Sequence, residues 1–383
     1  MRGSPLFQSL SSPHETRLMG MQTAGSFRTA VGSIGLASVR DLQWRTRRFF
    51  VAAIATGLVF GVALMMSGIS NSFSVEVRDT VAALGAQSWL VPAGSPGPFT
   101  DTAAFPIEKT SVLNGVPGVS AAAPLLVGHA LSSGSLGEKD VNVLGVEPGR
   151  LGSPKVVEGR PLGNGADVVA DQSLRVKVGQ VIVLSGSRFT VVGLVSGVTY
   201  FAGQPVVFMP IAAADRLDSN GLPLATAILV RGVPKAPVAG FVTLSDAQVR
   251  TDLARPTLQA VQTIQLVEIL LWLVAAGIIA AIIYLSALER RGDFAVLKAV
   301  GTPGWHLFFG LVVQALVMAI GAAVIGIAVE ALIAPTAAMT VRVSGGDYAA
   351  VPIVAVVVGV IASILPARRA ATVDPALAFG SAK

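Results

Sequence analysis

The chain has 383 residues, of which 52% are hydrophobic and 13% charged, and its mean hydropathy is +0.69. That is too apolar for a soluble domain and, in its middle, too polar for a plain bundle of spans, so a mixed membrane protein is expected. Of the net charge of +6, residues 1–48, the break at 287–306 and the tail from 367 together carry +8, while residues 71–262 hold fourteen side chains of each sign; the excess is a membrane-orientation signal, and binding of nucleic acid has no support.

In chain order, residues 1–32 are rich in Ser, Gly and Met without periodicity and are expected to be disordered; Met19 or Met21 could also initiate. Residues 33–48 alternate Ile34, Val39 and Leu42 with Arg40, Asp41, Arg45, Arg47 and Arg48, which predicts an amphipathic helix in the membrane interface, with Trp44 at headgroup level. Residues 49–70 form the first apolar run, long enough to cross a bilayer core of about 30 Å and too long for the apolar segment of a cleaved signal. The arginines before it place its start in the cytosol. Gly57 and Gly61 form a Gly-x-x-x-Gly pair that permits a second helix to approach closely, in a dimer seam or in ordinary packing.

Residues 71–257 then fall outside the cytosol. Short β-rich stretches separated by Gly and Pro are expected at Ser88–Val91, Val141–Val146, Val178–Leu184, Phe189–Val195 and Pro205–Met209, with helices near 72–84 and 210–218. A segment of this length buries a core without disulfides, so an α+β domain is predicted. Gly179 is placed to supply a positive φ before a strand, and Val181 and Val183 with Thr190 and Val192 alternate as a hairpin with one buried face.

Residues 258–286 read as a stalk followed by the second span, since Gln259, Gln262 and Gln265 are too polar for lipid. The break at 287–304 follows, then the third span at 305–333, an outer loop at 334–350, a short fourth span at 351–366 that must borrow Tyr348–Ala350 or thin the bilayer, and a cytosolic tail at 367–383. Within the break, Phe294, Leu297 and the Ala299/Val300 pair recur at helical spacing opposite Asp293 and Lys298, and Gly301-Thr302-Pro303 stops the turn. This predicts a short amphipathic helix facing the cytosol. Glu268 and Glu330, the carboxylates within the predicted spans, fall near the outer ends of their helices; they either snorkel to the headgroups or face the bundle interior as a substrate or coupling site, with Arg342 as a candidate partner.

The order Glu289-Arg290-Arg291, Asp293, then Phe294 through Gly301 resembles the cytosolic coupling helix of the FtsX/MacB-type (type VII) permeases of ABC transporters. The resemblance continues in Val116-Pro117-Gly118-Val119 followed by Ala123-Pro124, in Val168–Leu174 with Val176–Leu184, in Phe189–Val195, in Val207–Ile211, and in the tail Pro366-Ala367-Arg368-Arg369 with Val373-Asp374-Pro375. It covers nearly the whole chain from residue 35 to 380. The compact length is similar to DevC-like or LolC-like members and is short beside the larger MacB-like ones.

The resemblance implies four transmembrane helices with a MacB-core-like extracytoplasmic domain inserted between the first two, in a bacterial inner membrane with both termini cytosolic. It further implies a homodimer above a cognate ABC ATPase, surrounding membrane lipids, and an extracytoplasmic partner. Coupling to the ATPase would fall to Glu289, Arg290, Arg291, Asp293, Leu297, Lys298, Val300 and Gly301. The implied role is coupling of ATP hydrolysis to mechanotransmission and to export or extraction of lipid-like or amphipathic molecules at the outer leaflet, or else FtsX-like control of cell-wall hydrolases from across the membrane. From a different class, a membrane-anchored sensor or adhesion protein using the outer domain alone fits the spans but not the basic amphipathic segments at the cytosolic breaks.

The sequence has no phosphate-binding Gly-x-x-x-x-Gly-Lys-Ser/Thr, no acidic metal cluster and no catalytic Ser/His/Asp arrangement. His14, His129 and His306 are scattered, and without cysteine there is neither a disulfide framework nor a thiolate site. No cofactor, metal or catalytic residue is therefore expected in this chain, and ATP with Mg belongs to the partner ATPase.

Overall fold

The computed structural model of the chain describes residues 46–101, 103–133, 137–218, 222–301, 303–337 and 341–371. The expected disordered segment 1–32, the expected interfacial helix up to residue 45, and the tail from 372 lie outside the described residues. Two compact units make up the fold: one holds the chain up to Leu64 with Glu268–Ile333 and the chain from Gly345, and the other holds Met65–Val267 with Ala334–Ser344.

Helix α1 (Thr46–Ala83) is continuous, so the helix expected near 72–84 is its last part. It contains no proline, and it stops where Gly85 turns left-handed at φ +64 and its N–H donates to the Ala82 carbonyl at 3.1 Å. Residues from Met65 onward count with the second unit, whose elements follow in order. These are β1 (Ser88–Pro92), β2 (Phe105–Pro106), β3 (Val119–Ser133), β4 (Lys139–Val146), β5 (Glu158–Gly159), β6 (Asp167–Asp171) and β7 (Val181–Leu184). Then come β8 (Ser187–Val195), β9 (Thr199–Tyr200), β10 (Gln204–Pro210), α2 (Ile211–Asp218), β11 (Leu224–Ala225), β12 (Ala227–Gly232), β13 (Phe241–Ser245) and α3 (Asp246–Ala254).

One mixed sheet organises this unit, in the order β13-β1-β12-β3-β4-β10-β6-β8-β5, with β7 bridging β3 and β8 and with β9 beside β10. Most neighbours are antiparallel; β10 with β4 and β6 with β8 are parallel. Both faces are apolar, because alternate residues of each strand enter different cores. Val207 and Met209 of β10 join Val143, Ile228 and Val230 in one core, and Val206 and Phe208 join Leu144, Ala227 and Leu229 in the other. A strand buried on both sides has no polar face to alternate, which is why Pro205–Met209 reads as a plain apolar run.

The expected hairpin forms as β7 and β8, turning at Ser185-Gly186 (φ 43 and 80), with Gly179 at φ +87 before it. The expected buried face is corrected: Val181 is 51% exposed and Val183 and Thr190 are half-buried, while Ile182 and Leu184 with Phe189 and Val191 are the buried set, a one-residue shift that an apolar run with no polar alternation conceals. Val81 in the last turn of α1 and Leu84 just beyond it complete the second core, together with Val249 and Leu253 of α3. A capping box starts α3: Ser245 Oγ accepts from Gln248 N–H, and Gln248 Oε1 accepts from Ser245 N–H at 2.8 Å. Its buried Asp252 accepts from the Phe99 N–H at 2.9 Å and from the Thr100 hydroxyl.

Helix α4 (Leu258–Glu289) follows, belonging from Glu268 to the other unit, which continues with α5 (Arg291–Ala299), α6 (Gly304–Ile333) and α7 (Gly345–Ala371). Phe49–Ala83, Asp246–Glu289 and Phe308–Thr336 are long and apolar enough to cross a membrane. The fourth expected span lies in α7, whose apolar stretch, Gly345–Ile361, is shorter; the helix starts early enough to take in Tyr348–Ala350. Where α6 and α7 pack, a Cβ on Gly359 would sit 3.3 Å from the Ala315 carbonyl oxygen, so small residues set the helix separation.

Candidate functional site

The break between the second and third apolar helices folds as α5, one short helix with two different faces. Phe294 and Ala295 are buried, and the Arg290 guanidinium lies 5.5 Å above the Phe294 ring. One face over, Asp293, Val296, Leu297 and Val300 follow the i, i+3, i+4, i+7 spacing and are exposed, the last three at 51%, 41% and 81%. The expectation that Phe294 shares an apolar face with Leu297 and Val300, opposite Asp293, is therefore corrected. Phe294 anchors the helix to its chain, and Asp293 sits on the same face as the exposed aliphatic residues.

Glu289 ends α4 and is exposed, Arg290 makes the turn, and Arg291 and Lys298 belong to α5. Gly301, at φ +91, supplies the left-handed residue that ends the segment.

Gly57 and Gly61 pack within the chain, against α6. A Cβ on Gly57 would lie 2.6 Å from Ile325 Cγ2, and one on Gly61 would lie 2.8 Å from Val329 Cγ1 and 3.0 Å from the Gly326 carbonyl oxygen. The second helix that this pair admits is thus α6 of the same chain. Gly326 answers from the other side, where a Cβ would meet the Gly57 oxygen at 3.1 Å.

The two intramembrane acids differ in setting. Glu330 on α6 is 3% exposed, and its Oε2 accepts from the Tyr348 hydroxyl of α7 at 2.7 Å, so it faces the helix bundle. Glu268 on α4 is half-buried and takes a hydrogen bond from Trp272 one turn on, whose ring lies tilted against that of Phe60 of α1 with centroids 5.1 Å apart. Deeper in the same unit, Gln314 Nε2 donates to Ser286 Oγ at 3.0 Å, both groups buried. Sequence reasoning passed over this bridge, although Gln314 is the sole amide in its apolar run and the signal was there.

Arg342, expected as a partner for these acids, pairs with Asp79 at 3.2 Å, inside the sheet-bearing unit. The loop carrying it is bound to α1 by its backbone as well. Asn71 Nδ2 donates to the Arg342 carbonyl at 2.6 Å, and the Arg342 N–H donates to Ser72 Oγ at 2.9 Å. Gly68 leaves the space, since a Cβ there would lie 2.6 Å from Val341 Cγ1. A turn further on, the buried Glu76 lies against Thr199 and the backbone of Ala202 and Gly203, where Phe201, Ala202 and Gly203 are successively left-handed at φ 53, 71 and 82. No local pattern announces these pairings, because the partners are distant in sequence. Among the described residues no group of His, Asp and Glu has the arrangement of a metal site.

Residues 49–254 match the family profile described as MacB-like periplasmic core domain, and residues 266–375 match the one described as FtsX-like permease C-terminal. The uncharacterised ABC transporter permease Rv0072 of Mycobacterium tuberculosis (strain ATCC 25618 / H37Rv) is 40% identical over 345 residues, covering 90% of this chain and 99% of its own. The uncharacterised ABC transporter permease Mb2592 of Mycobacterium bovis (strain ATCC BAA-935 / AF2122/97) is 37% identical over 344 residues, with the same coverage of 90% and 99%. Among solved structures, the periplasmic region of MacB from Actinobacillus actinomycetemcomitans aligns with a TM-score of 0.32 at 13% identity, covering 46% of this chain and 96% of that one. The extracellular domain of the ABC-type transporter YknZ from Gram-positive bacteria aligns with a TM-score of 0.31 at 15% identity, covering 38% and 83%.

Proposed function

The chain belongs to the FtsX/MacB-type family of ABC transporter permeases, and from that premise we propose that it couples ATP hydrolysis by a separate cognate ATPase to mechanical work on lipid-like or amphipathic molecules at the outer leaflet. In this reading four helices cross the bacterial inner membrane, α7 being the short fourth. Both termini and α5 face the cytosol, and the sheet domain and the loop with Arg342 lie outside. Two copies of the permease stand over two ATPases, and any nucleotide and Mg are bound there.

The observation that carries the reading is the outward face of α5. Three exposed aliphatic side chains on a helix whose Phe294 is buried have the form of a docking ridge. Asp293 and Glu289 add polar contacts at its edge.

The test is Leu297→Asp in the full chain, co-purified with its ATPase. Because Leu297 is exposed, the variant's melting temperature should stay within a few degrees of the parent's, while association falls at least tenfold and stimulation of ATP hydrolysis is lost. Undiminished association and stimulation would sink the proposal.

A further inference from the structure

Where α1 ends, the sheet domain contains a cavity of about 540 Å³, within the range of small-molecule sites. Its rim carries Arg150, Lys155 and Arg231, and among the described residues no Asp or Glu lines it. Glu147, just outside, holds the Arg150 guanidinium at 3.3 Å; among the described residues neither Lys155 nor Arg231 is in an ion pair. The floor is apolar: Leu84, Leu151, Val195 and Val198 line it, each at most 9% exposed.

The walls are fixed before any ligand arrives. The Glu147 carbonyl accepts from the Arg150 N–H at 3.2 Å and from Ser153 Oγ at 3.0 Å, which holds the loop that carries Arg150 and Lys155. Gly152, at φ +92, seats that loop where a Cβ would meet Leu229 Cδ1 at 2.5 Å. The Gln87 N–H donates to the Val230 carbonyl at 2.8 Å and so fixes the end of α1 beside Arg231. The domain as a whole is charge-balanced, so a cationic rim over an apolar floor is a local departure from it.

We infer that this cavity binds an anionic amphiphile, with its phosphate or carboxylate among Lys155, Arg231 and Arg150 and its apolar stem on Leu84, Leu151, Val195 and Val198. A free inorganic anion would leave the floor unused, and a neutral amphiphile would leave the rim charges without a partner. The inference concerns equilibrium binding by the permease alone, so it stands or falls separately from coupling to an ATPase.

The test uses the full chain in phosphatidylcholine nanodiscs without ATPase, titrated with monomeric dihexanoyl phosphatidylglycerol, dihexanoyl phosphatidylcholine or inorganic phosphate and read by calorimetry. The expected result is binding of the phosphatidylglycerol at least tenfold tighter than either of the others. Lys155→Ala combined with Arg231→Ala weakens it at least tenfold, and Lys177→Ala combined with Arg188→Ala, exposed cations elsewhere on the domain, leaves it unchanged. Should the first pair melt early, each single alanine variant weakens binding at least threefold. Equal binding of the phosphatidylcholine, equal binding of phosphate, no binding at all, or equal loss in the control pair would each overturn the assignment.

Discussion

Gly61 has no room for a methyl group. A Cβ would meet Val329 Cγ1 at 2.8 Å and, less forgivingly, the Gly326 carbonyl oxygen at 3.0 Å, which moves only if α6 moves. Gly61→Ala is therefore expected to destabilise the helical unit by about 1–3 kcal/mol, read as a lower melting temperature in detergent. Gly277, where nothing lies within 4 Å of a Cβ, should accept Gly277→Ala without loss. Tyr348→Phe acts through solvation instead: it strips a donor from the buried Glu330 carboxylate, at a cost of about 1–3 kcal/mol. Glu330→Gln keeps an acceptor for that hydroxyl, so it should change the melting temperature less than Tyr348→Phe does. The reverse ranking would mean that Glu330 is not held by Tyr348.

At the scale of elements, the loop before α7 is bound to α1 by two kinds of contact, and their magnitudes differ. The Arg342–Asp79 pair is 41% and 34% exposed in its side chains, so it contributes no more than about 1 kcal/mol and fades with salt. The backbone bonds to Asn71 and Ser72 do not depend on the guanidinium. Arg342→Ala is thus expected to lower domain stability slightly and in a salt-dependent way, Asn71→Ala more and without salt dependence; denaturation at two ionic strengths distinguishes them. These contacts also mark where sequence reasoning ends. Apolar length announces α1, α4 and α6, and positive-φ glycines announce the β7–β8 hairpin and the end of α5. The orientation of α5 was not legible, because Phe294 and Leu297 are both apolar at helical spacing and only tertiary packing decides which is buried. Nor was β3 legible, the longest strand, since its Ala, Ser and Gly content gives little β signal and its register with β12 depends on residues about a hundred positions away.

For the whole molecule, the arrangement across the membrane is open to direct measurement, because the chain has no cysteine. Ser187→Cys, exposed on the sheet domain, should react with an impermeant maleimide in intact cells, and Ala299→Cys on α5 should react only after the membrane is opened; the opposite pattern would reject the proposed orientation. The sheet itself has a consequence for how the protein is made. Trp89 of β1 pairs with Leu229 of β12 on one side and Leu244 of β13 on the other, and its indole N–H donates to Asp246, 157 residues further along the chain. During synthesis β1 therefore emerges early with both edges bare and both faces apolar, and no partner exists until almost the entire domain has followed. Pairings this remote in sequence form slowly, and bare apolar strands associate with one another in the meantime. The nascent domain thus has a long interval of vulnerability that closes only when β13 arrives.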